Sequence, residues 1–325
     1  MNKLSDNMPT RMLTIVVTES QGFASQAATL LQQLGRVVWG DFDRQRLLEA
    51  MHAADVLWVR LRHRIDAEVM AAAPHLKVIV TPTTGLNHID LHEAVRRGIQ
   101  VVSLRGAATF LKDIRATAEH TIALMLALLR RVPSAVTHVQ DGGWDRDQFK
   151  GHELHEKTVG VVGYGRLGQI VARYLLAFDT RVLATDPHVS AETLEPGITL
   201  SSLEETLHEA DLVTVHVNLC DETQGFFGRE QFAMMKRGAW FINTSRGELV
   251  DEQALLDALY SERLAGAALD VLCDESAAGM ADHPAVAYAR VHDNLIITPH
   301  LGGCTVESMA KTECFLAERL LPFLK

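Results

Sequence analysis

Three charged side chains in the second half of the chain each follow a strand-like apolar run: Arg246, Glu275 and His300. In an open parallel sheet, ligands bind beyond the carboxyl ends of the strands. An arginine can clamp an anion, a histidine can transfer a proton near neutral pH, and a carboxylate can orient the imidazole. Each residue alone could be an ordinary loop residue, but together they supply the groups for proton transfer on an anionic substrate.

A glycine-spaced turn earlier in the chain has the pattern of a phosphate-binding loop. Residues 157–162 form a short apolar run, and Gly163, Gly165 and Gly168 follow it at the spacing G-x-G-x-x-G. The first glycine makes the tight turn, the second lets the backbone approach a pyrophosphate, and the third lets the following helix pack closely on the strand. The sequence therefore predicts a strand, a phosphate loop and a helix.

The acid that ends the next strand-like run indicates which dinucleotide this loop would hold. Asp186 follows residues 181–185, at the distance from Gly168 where a dinucleotide fold places the acid for the adenosine ribose hydroxyls. Pro187 and His188 come next, with no arginine nearby to neutralise a 2′-phosphate. We therefore predict a site for NAD rather than NADP.

The rest of the chain alternates between strand-like and helix-like segments. Before the glycine loop we expect strands at 12–18, 36–39, 55–59, 77–80 and from 101 onward, with helices at 23–34, 44–54, 66–73 and 91–97. After it we expect strands at 211–217, 240–244, 267–271 and 295–298, with helices at 229–236, 252–264 and 306–321. Repeated βα units of this length predict an α/β fold with two doubly wound parallel sheets.

One predicted helix, at residues 116–131, differs from the others. Its segment 121–129 is apolar on nearly every face, so we expect it to be buried all round, between domains or subunits. Pro133 is expected to end it. We place a domain boundary just before this helix.

Composition limits the classes of function. With 325 residues, 47% of them hydrophobic and 22% charged, the chain is typical of a globular protein with two domains. The formal net charge of −10 argues against a nucleic-acid partner and against an anionic membrane surface.

The cysteines and the polar first ten residues indicate a cytoplasmic protein. Four widely separated cysteines form no C-x-x-C pair, which favours free thiols in a reducing compartment. The first ten residues lack the apolar segment of a signal peptide, and we expect a frayed tail there. The scattered histidines suggest no metal site.

The motifs of the second half carry a family resemblance, which covers the chain from about Leu76 to its end. They are residues 119–124, the glycine loop, and residues 243–247, 266–271 and 298–303. With these motifs the chain resembles the D-isomer-specific 2-hydroxyacid dehydrogenases. The resemblance implies a flavodoxin-like substrate domain from residues 1–113 plus 304–325, and a Rossmann NAD-binding domain from residues 114–303. No regulatory domain fits after Leu321, so we expect no appended regulatory module.

The resemblance implies a role for each site residue. Arg246 would hold the substrate carboxylate and polarise the C2 oxygen. His300 would take the hydroxyl proton while hydride leaves C2 for the nicotinamide, and Glu275 would fix the tautomer of the imidazole. Contacts to the cofactor are implied for Gly163, Gly165, Arg166, Leu167, Gly168, Asp186, His216, Thr244 and Asp270.

Substrate contacts are implied in the first half. Thr84 and Gly85 stand where many members have a more glycine-rich loop whose backbone amides bind the substrate carboxylate. Arg60 is similar in position to the basic pair that phosphoglycerate dehydrogenases direct at a second anionic group. A solvated basic loop is the alternative interpretation of Arg60.

The residues and the resemblance together predict an NAD(H)-dependent oxidoreductase that interconverts a 2-hydroxyacid and its 2-keto acid. The resemblance alone implies the D-isomer, and it implies a homodimer with the helix at 121–129 in the interface. Two alternatives stay open. One is an NAD(H)-sensing binding protein, like the corepressors that share this fold. The other is a dehydrogenase of a one-carbon or inorganic anion such as formate or phosphite, although formate enzymes of this family usually pair the histidine with glutamine, and Glu275 counts against that version.

Overall fold

The computed structural model describes residues 12–275 and 279–324. The expected N-terminal tail lies outside this range. The chain forms two compact units, one from residues Met1–Leu111 with Val306–Lys325 and the other from Lys112–Thr305. Both ends of the chain therefore belong to the first unit.

The first unit contains a five-stranded parallel sheet. Its strands are β1 (Thr14–Val17), β2 (Arg36–Trp39), β3 (Val56–Trp58), β4 (Val78–Thr81) and β5 (Gln100–Ser103). The strand order β2-β1-β3-β4-β5 is flavodoxin-like and reverses direction between β1 and β3. The inner strands β1, β3 and β4 are buried along their whole length, which explains why they are apolar without alternation.

Helices flank this sheet. They are α1 (Ser25–Leu34), α2 (Arg44–Met51), α3 (Ala67–Ala71), α4 (Leu91–Arg96) and α5 (Ala108–Leu111), together with the C-terminal helix (Val306–Leu320). Asp43, Asp66 and Asp90 cap α2, α3 and α4 by accepting a hydrogen bond from a backbone N–H three residues on. The C-terminal helix packs on α1, β4 and β5, where Phe315 stacks on Phe110 with 3.9 Å between ring centroids.

The second unit contains a seven-stranded parallel sheet. Its strands are β6 (Thr158–Val162), β7 (Arg181–Thr185), β8 (Ile198–Leu200), β9 (Leu212–Val215), β10 (Ala239–Asn243), β11 (Leu264–Leu269) and β12 (Leu295–Ile297). The order β8-β7-β6-β9-β10-β11-β12 is that of a Rossmann fold with one strand added, and it reverses between β6 and β9. The expected class, α/β with two doubly wound parallel sheets, is confirmed.

The helices of the second unit are α6 (Ala116–Leu129), α7 (Val132–Gln140), α8 (Arg166–Leu176), α9 (Leu203–Glu209), α10 (Arg229–Met234), α11 (Glu252–Tyr260) and α12 (Pro284–Ala289). The sequence prediction missed α5, α7, α9, α12 and the short edge strand β8. For α9 a signal was present, because Ser202 and Glu205 form a capping box at its start.

The chain between α6 and α7 differs from the prediction. Pro133 does not end a helix; it lies in the first turn of α7, where a proline removes no needed donor. The break occurs at Arg131, whose φ of 52° is left-handed. Helix α6 is also not buried on all faces within this unit: Leu124, Met125 and Leu128 are buried, but Ala123 is exposed.

We find no single helix in the described ranges that is long and apolar enough to cross a membrane. Only a bent pair, Ala108–Leu129 with Val132–Gln140 at 65°, meets that test of length and composition. Over the same ranges, no group of three or more His, Cys, Asp or Glu residues could hold a metal ion.

Candidate active site

The glycine loop lies between β6 and α8 and is shaped by close backbone approach. Gly163 has a φ of +92°, and a Cβ there would lie 2.6 Å from the carbonyl oxygen of His216. A Cβ on Gly168 would lie 2.0 Å from the carbonyl oxygen of Gly163. At Gly165, in contrast, a Cβ would meet no atom within 4 Å. The loop is therefore packed where it turns and open at the start of α8, where a pyrophosphate would meet the helix amides.

Asp186 ends β7 beside this loop. One carboxylate oxygen accepts a hydrogen bond from the backbone N–H of Tyr164 at 2.9 Å, and the other accepts from the N–H of His188 at 2.9 Å. A carboxylate has further lone pairs, so these bonds leave it able to accept from ribose hydroxyls. Asp186 thus shapes the loop and can also bind a sugar.

His216 follows β9 next to the same loop. Its Nε2 lies 3.1 Å from the hydroxyl of Thr214, and its Nδ1 is buried with no partner among the described residues. Burial lowers the pKa of His216 to about 4, so the ring is neutral at pH 7. The open space at Gly165 fits a bound dinucleotide.

Three more predicted cofactor residues make contacts inside the second unit. The guanidinium of Arg166 donates to the carbonyl of Ile114 at 2.9 Å, and the hydroxyl of Thr244 lies 2.8 Å from that of Thr121. Leu167 is half-buried against the core. Arg166 is therefore directed at backbone in this structure, while Thr244 sits buried at the end of β10.

Arg246 lies in the loop after β10. Asn243 holds this loop, because its side-chain amide donates to the carbonyl of Arg246 at 2.8 Å and its amide oxygen accepts from the N–H of Ser245 at 2.9 Å. Burial lowers the pKa of Arg246, whereas the charges of Glu275 and Glu248 raise it. A guanidinium stays protonated at neutral pH, so Arg246 is a partly desolvated positive charge.

His300 and Glu275 form a short hydrogen bond. The Nδ1 of His300 lies 2.6 Å from Oε2 of Glu275, and Oε1 of Glu275 accepts from the N–H of Leu272 at 3.2 Å. We assign the proton to Nδ1, because a carboxylate only accepts. Nε2 of His300 is then free to exchange a proton with a ligand.

The loop that carries His300 is tied to Asp270. The side chain of Asp270 is 1% exposed and accepts from the N–H of Leu301 and of Gly302, each at 2.7 Å. Burial opposes ionisation of this carboxyl, but hydrogen bonds from His120, Thr298 and these two amides outweigh it and lower its pKa. Asp270 thus sets the backbone of the loop, in which His300 has a left-handed φ of 55°.

His120 is a supporting residue to which the sequence analysis gave no role. Its Nε2 lies 3.1 Å from Oδ1 of Asp270 and 3.0 Å from the hydroxyl of Thr298. Because His120 is on α6, it links that helix to the loop of His300. Its place in the motif 119–124 was the signal that could have found it.

Cys273 lies two residues before Glu275, and its surroundings disfavour the thiolate. Burial and the nearby charge of Glu252 raise the pKa of its thiol to about 12. The thiolate, not the thiol, is the reactive form.

The candidate substrate residues lie in the first unit, after two neighbouring strands. Thr84 is exposed in the loop after β4, where the hydroxyl of Thr83 donates to the carbonyl of Gly85 at 2.7 Å. Arg60 follows β3 and is paired with Glu313 on the C-terminal helix, with 2.5 Å between Nη2 and Oε1. The guanidinium of Arg60 is thus occupied by a carboxylate of the chain itself.

The structure brings most predicted site residues of the second unit to one edge of its sheet. Gly163, His216, Thr244, Asp270 and the His300 loop come directly after β6, β9, β10, β11 and β12, and all these strands are parallel. Their carboxyl ends therefore form one edge, which adjoins the reversal of strand order where such sheets bind ligands.

Comparison with known proteins places this site in a family. Residues 122–302 match the family model described as D-isomer specific 2-hydroxyacid dehydrogenase, NAD binding domain. The chain is 40% identical over 308 residues to a D-3-phosphoglycerate dehydrogenase of Mycobacterium bovis, covering 94% of this chain and 56% of that protein. It is 38% identical over 288 residues to a glyoxylate reductase of Thermofilum pendens, covering 87% of this chain and 82% of that protein.

Solved structures agree. The D-lactate dehydrogenase of Aquifex aeolicus, complexed with NAD and lactic acid, superposes with a TM-score of 0.80 at 28% identity over 95% of both chains. The TT0316 protein of Thermus thermophilus gives a TM-score of 0.81 at 36% identity, covering 96% of this chain and 97% of that one. The chain spans about half the length of the D-3-phosphoglycerate dehydrogenases that it matches. It belongs to the D-isomer-specific 2-hydroxyacid dehydrogenase family, with the NAD-binding domain of that family in its second unit.

Proposed function

We propose that the protein is an NAD(H)-dependent oxidoreductase that interconverts a D-2-hydroxyacid and its 2-oxo acid. The observation that carries this proposal is the 2.6 Å hydrogen bond between His300 and Glu275 on the same sheet edge as the glycine loop. The first unit would then be the substrate domain and the second the cofactor domain.

His300 is the proton-transfer group in this proposal. With Nδ1–H donating to Glu275, Nε2 faces the substrate as a base for the hydroxyl in oxidation and, when protonated, as an acid toward the C2 oxygen in reduction. The carboxylate of Glu275 stabilises the imidazolium that carries this proton. Bound NAD(H) supplies or accepts the hydride at C2.

Arg246 is the anion-binding group. Its guanidinium can hold the substrate carboxylate and donate to the C2 oxygen, where negative charge develops during reduction. Because the group is largely buried, its interaction with charge is screened less than it would be in water.

The cofactor would be held by the loop and by Asp186. The backbone of Gly165 and the first amides of α8 suit the pyrophosphate, and Asp186 suits the ribose hydroxyls. Asp186 is followed by Pro187 and His188, with no arginine nearby in the sequence to neutralise a 2′-phosphate, which supports NAD over NADP.

The test is oxidation of NADH against a panel of 2-oxo acids that includes glyoxylate, hydroxypyruvate, pyruvate and phenylpyruvate. We expect His300→Ala to lower kcat on the best substrate by about 10²–10⁴-fold while the Kd for NADH is kept. The exposed His208→Ala on α9 is the matched control and should retain wild-type kcat. Binding of NADH without turnover of any 2-oxo acid would contradict the proposal and favour an NAD(H)-sensing role.

We further propose a homodimer in the cytoplasm. Val132, Val136 and Val139 form an exposed apolar stripe on α7, and Trp144, just beyond it, is 90% exposed. Such a patch is typical of an interface, and a second copy of this chain is the partner that the symmetry of most oligomers favours. Cys220, Cys273 and Cys314 carry free thiols, which supports a reducing compartment.

A further inference from the structure

Arg60 stands at the place in the first unit where a ligand is expected. The strand order of this unit reverses between β1 and β3, and the carboxyl ends of those two strands lead into Glu19 and Arg60. The sequence around Arg60 is basic, with Arg62 and Arg64 close behind. From the sequence alone, this run would attract a second anionic group on the substrate.

The guanidinium of Arg60 is already engaged. Its Nη2 lies 2.5 Å from Oε1 of Glu313, and its Nη1 donates to the carbonyl of Gln21 at 3.0 Å. Its Nε is buried without a partner among the described residues, so an anion arriving from solvent does not reach it. The guanidinium also lies over the ring of Phe23, 5.8 Å from the centroid. The side chain is held from several sides.

Glu313 is held as firmly as Arg60. Its side chain is 1% exposed, and its second oxygen accepts from the N–H of Ala24 at 2.8 Å. A buried carboxylate that lost its cation would be left uncompensated, which is strongly unfavourable. An incoming anion would therefore have to displace this buried carboxylate.

Arg62, the next cation of the run, also has a carboxylate partner. The carboxylate of Glu19 accepts from the N–H of Arg60 at 2.6 Å and from the N–H of Arg62 at 2.8 Å. The guanidinium of Arg62 lies 3.6 Å from the carboxylate of Asp41. Burial lowers the pKa of His63, which keeps that ring neutral at pH 7. The Arg60 guanidinium thus pairs with Glu313 and the Arg62 guanidinium with Asp41, while Glu19 binds the backbone between them.

We propose that Glu313 is a specificity-determining residue that neutralises Arg60, so that the enzyme selects 2-oxo acids with a single anionic group. This inference rests on the proposed function and deepens it. Among the relatives, the name D-3-phosphoglycerate dehydrogenase denotes a substrate with two anionic groups and the name glyoxylate reductase a substrate with one. The Arg60–Glu313 pair assigns this chain to the second class of substrate.

The test compares kcat/KM for hydroxypyruvate and for phosphohydroxypyruvate, which differ only in the phosphate. We expect the wild-type enzyme to favour hydroxypyruvate by about 100-fold or more, since an uncompensated like charge acts against the second substrate. Glu313→Gln should raise kcat/KM for phosphohydroxypyruvate relative to hydroxypyruvate by about tenfold or more. The reason is that the Arg60 guanidinium would lose its carboxylate partner and could bind the phosphate. Adding Arg60→Met to Glu313→Gln should remove that gain.

Glu307→Gln, an exposed acid on the same helix, is the matched control and should keep the wild-type ratio. The inference is overturned if the wild-type enzyme prefers phosphohydroxypyruvate and Arg60→Met alone removes that preference. It is also overturned if Glu313→Gln folds, as judged by circular dichroism, and leaves the ratio unchanged.

A binding measurement separates this inference from the proposed function. If no 2-oxo acid is turned over, the proposed function fails, and titration calorimetry with inorganic phosphate then tests Glu313 directly. We expect no phosphate binding to the wild-type chain, and binding to Glu313→Gln that the second change Arg60→Met removes. Phosphate binding by the wild-type chain that depends on Arg60 would overturn the inference, and this outcome remains measurable if Glu313→Gln does not fold.

Discussion

At the scale of single residues, the candidate chemistry depends on how neighbours prepare each side chain. Glu275 sets the tautomer of His300, and Asp270 sets the backbone that carries it. Burial strengthens the interaction of the Arg246 guanidinium with nearby charge, because that interaction is screened less than in water. The candidate reacting groups are thus ordinary residue types. Their neighbours set the orientation and the electrostatic environment of each side chain.

The contribution of the Glu275 charge can be measured by Glu275→Gln. The amide can still accept from Nδ1 of His300, but it no longer stabilises the imidazolium. We expect kcat for reduction of the best 2-oxo acid to fall by about 10-fold or more, with the Kd for NADH kept. Glu204→Gln, an exposed change on α9, serves as the control. An unchanged kcat in Glu275→Gln would show that the charge plays no part.

His216 predicts a pH dependence of stability. Its pKa is lowered from 6.5 to about 4 in the folded chain, so the unfolded chain binds the extra proton between these values. The free energy of unfolding should therefore be unaffected above pH 6.5 and should fall as the pH drops toward 4, by at most about 1.4 kcal/mol per pH unit from this residue.

Urea unfolding of the chain without cofactor at about pH 7.5 and about pH 5 measures this effect. We expect His216→Gln to show a smaller loss of stability between these pH values than the wild-type chain. The exposed His208→Gln should behave like the wild type. Equal losses in His216→Gln and the wild type would rule out a neutral, buried His216.

At the scale of elements, the strand, loop and helix formed by β6, residues 163–165 and α8 combine two different uses of glycine. Gly163 and Gly168 allow backbone segments to touch, while Gly165 leaves open space for a ligand. A substitution by alanine is therefore expected to weaken ligand binding at Gly165 and to lower stability at Gly168.

Gly165→Ala and Gly168→Ala form a matched pair. We expect Gly165→Ala to change the free energy of unfolding by less than about 1 kcal/mol, since its Cβ meets no atom within 4 Å, but to raise the Kd for NADH by about tenfold or more. Gly168→Ala places a Cβ 2.0 Å from the carbonyl oxygen of Gly163 and should cost about 1–3 kcal/mol of stability. Thermal unfolding and NADH fluorescence report the two quantities. Normal NADH affinity in Gly165→Ala would argue against a pyrophosphate at this loop.

At the scale of the whole molecule, each unit has its own parallel sheet, and the chain passes from the first unit to the second and back. The C-terminal helix completes the first unit by packing on α1, β4 and β5. Residues far apart in sequence, such as Arg60 and Glu313, therefore meet within one unit. The exposed stripe of α7 belongs to the second unit. The proposed dimer would form through this stripe rather than through residues 121–129, since Leu124, Met125 and Leu128 are already buried.

A charge in that stripe tests the dimer. Size-exclusion chromatography with light scattering should give a mass of twice 35.9 kDa, the mass of one wild-type chain. Val136→Asp places a carboxylate in the apolar face and should shift the protein to the monomer mass, because an unpaired charge is costly to bury. Val291→Asp, at another exposed valine, should leave the mass unchanged. A measured mass of one chain for the wild-type protein would rule out the homodimer.

The sequence alone was enough for the class of fold, the strand, loop and helix of the cofactor site, and the family. The reason is that these depend on local spacing: apolar periods define strands and helices, and the glycines and Asp186 lie on consecutive elements. The three residues of β8 were missed because so short a strand has a weak sequence signal. Helix α7 was missed because Pro133 was interpreted as the end of a helix, whereas it lies in the first turn of α7.

Only the tertiary structure decided which side chains pair across the fold. Asp270 holds the loop of His300 and binds His120 on a helix 150 residues earlier, and Arg60 is neutralised by Glu313 from 253 residues away. No period or spacing encodes such partners, because a side chain's charge balance and burial depend on which elements the folded sheet brings beside it. The sequence alone suggests that Arg60 is a cation available to a ligand. In the folded chain it is instead one half of an ion pair with Glu313.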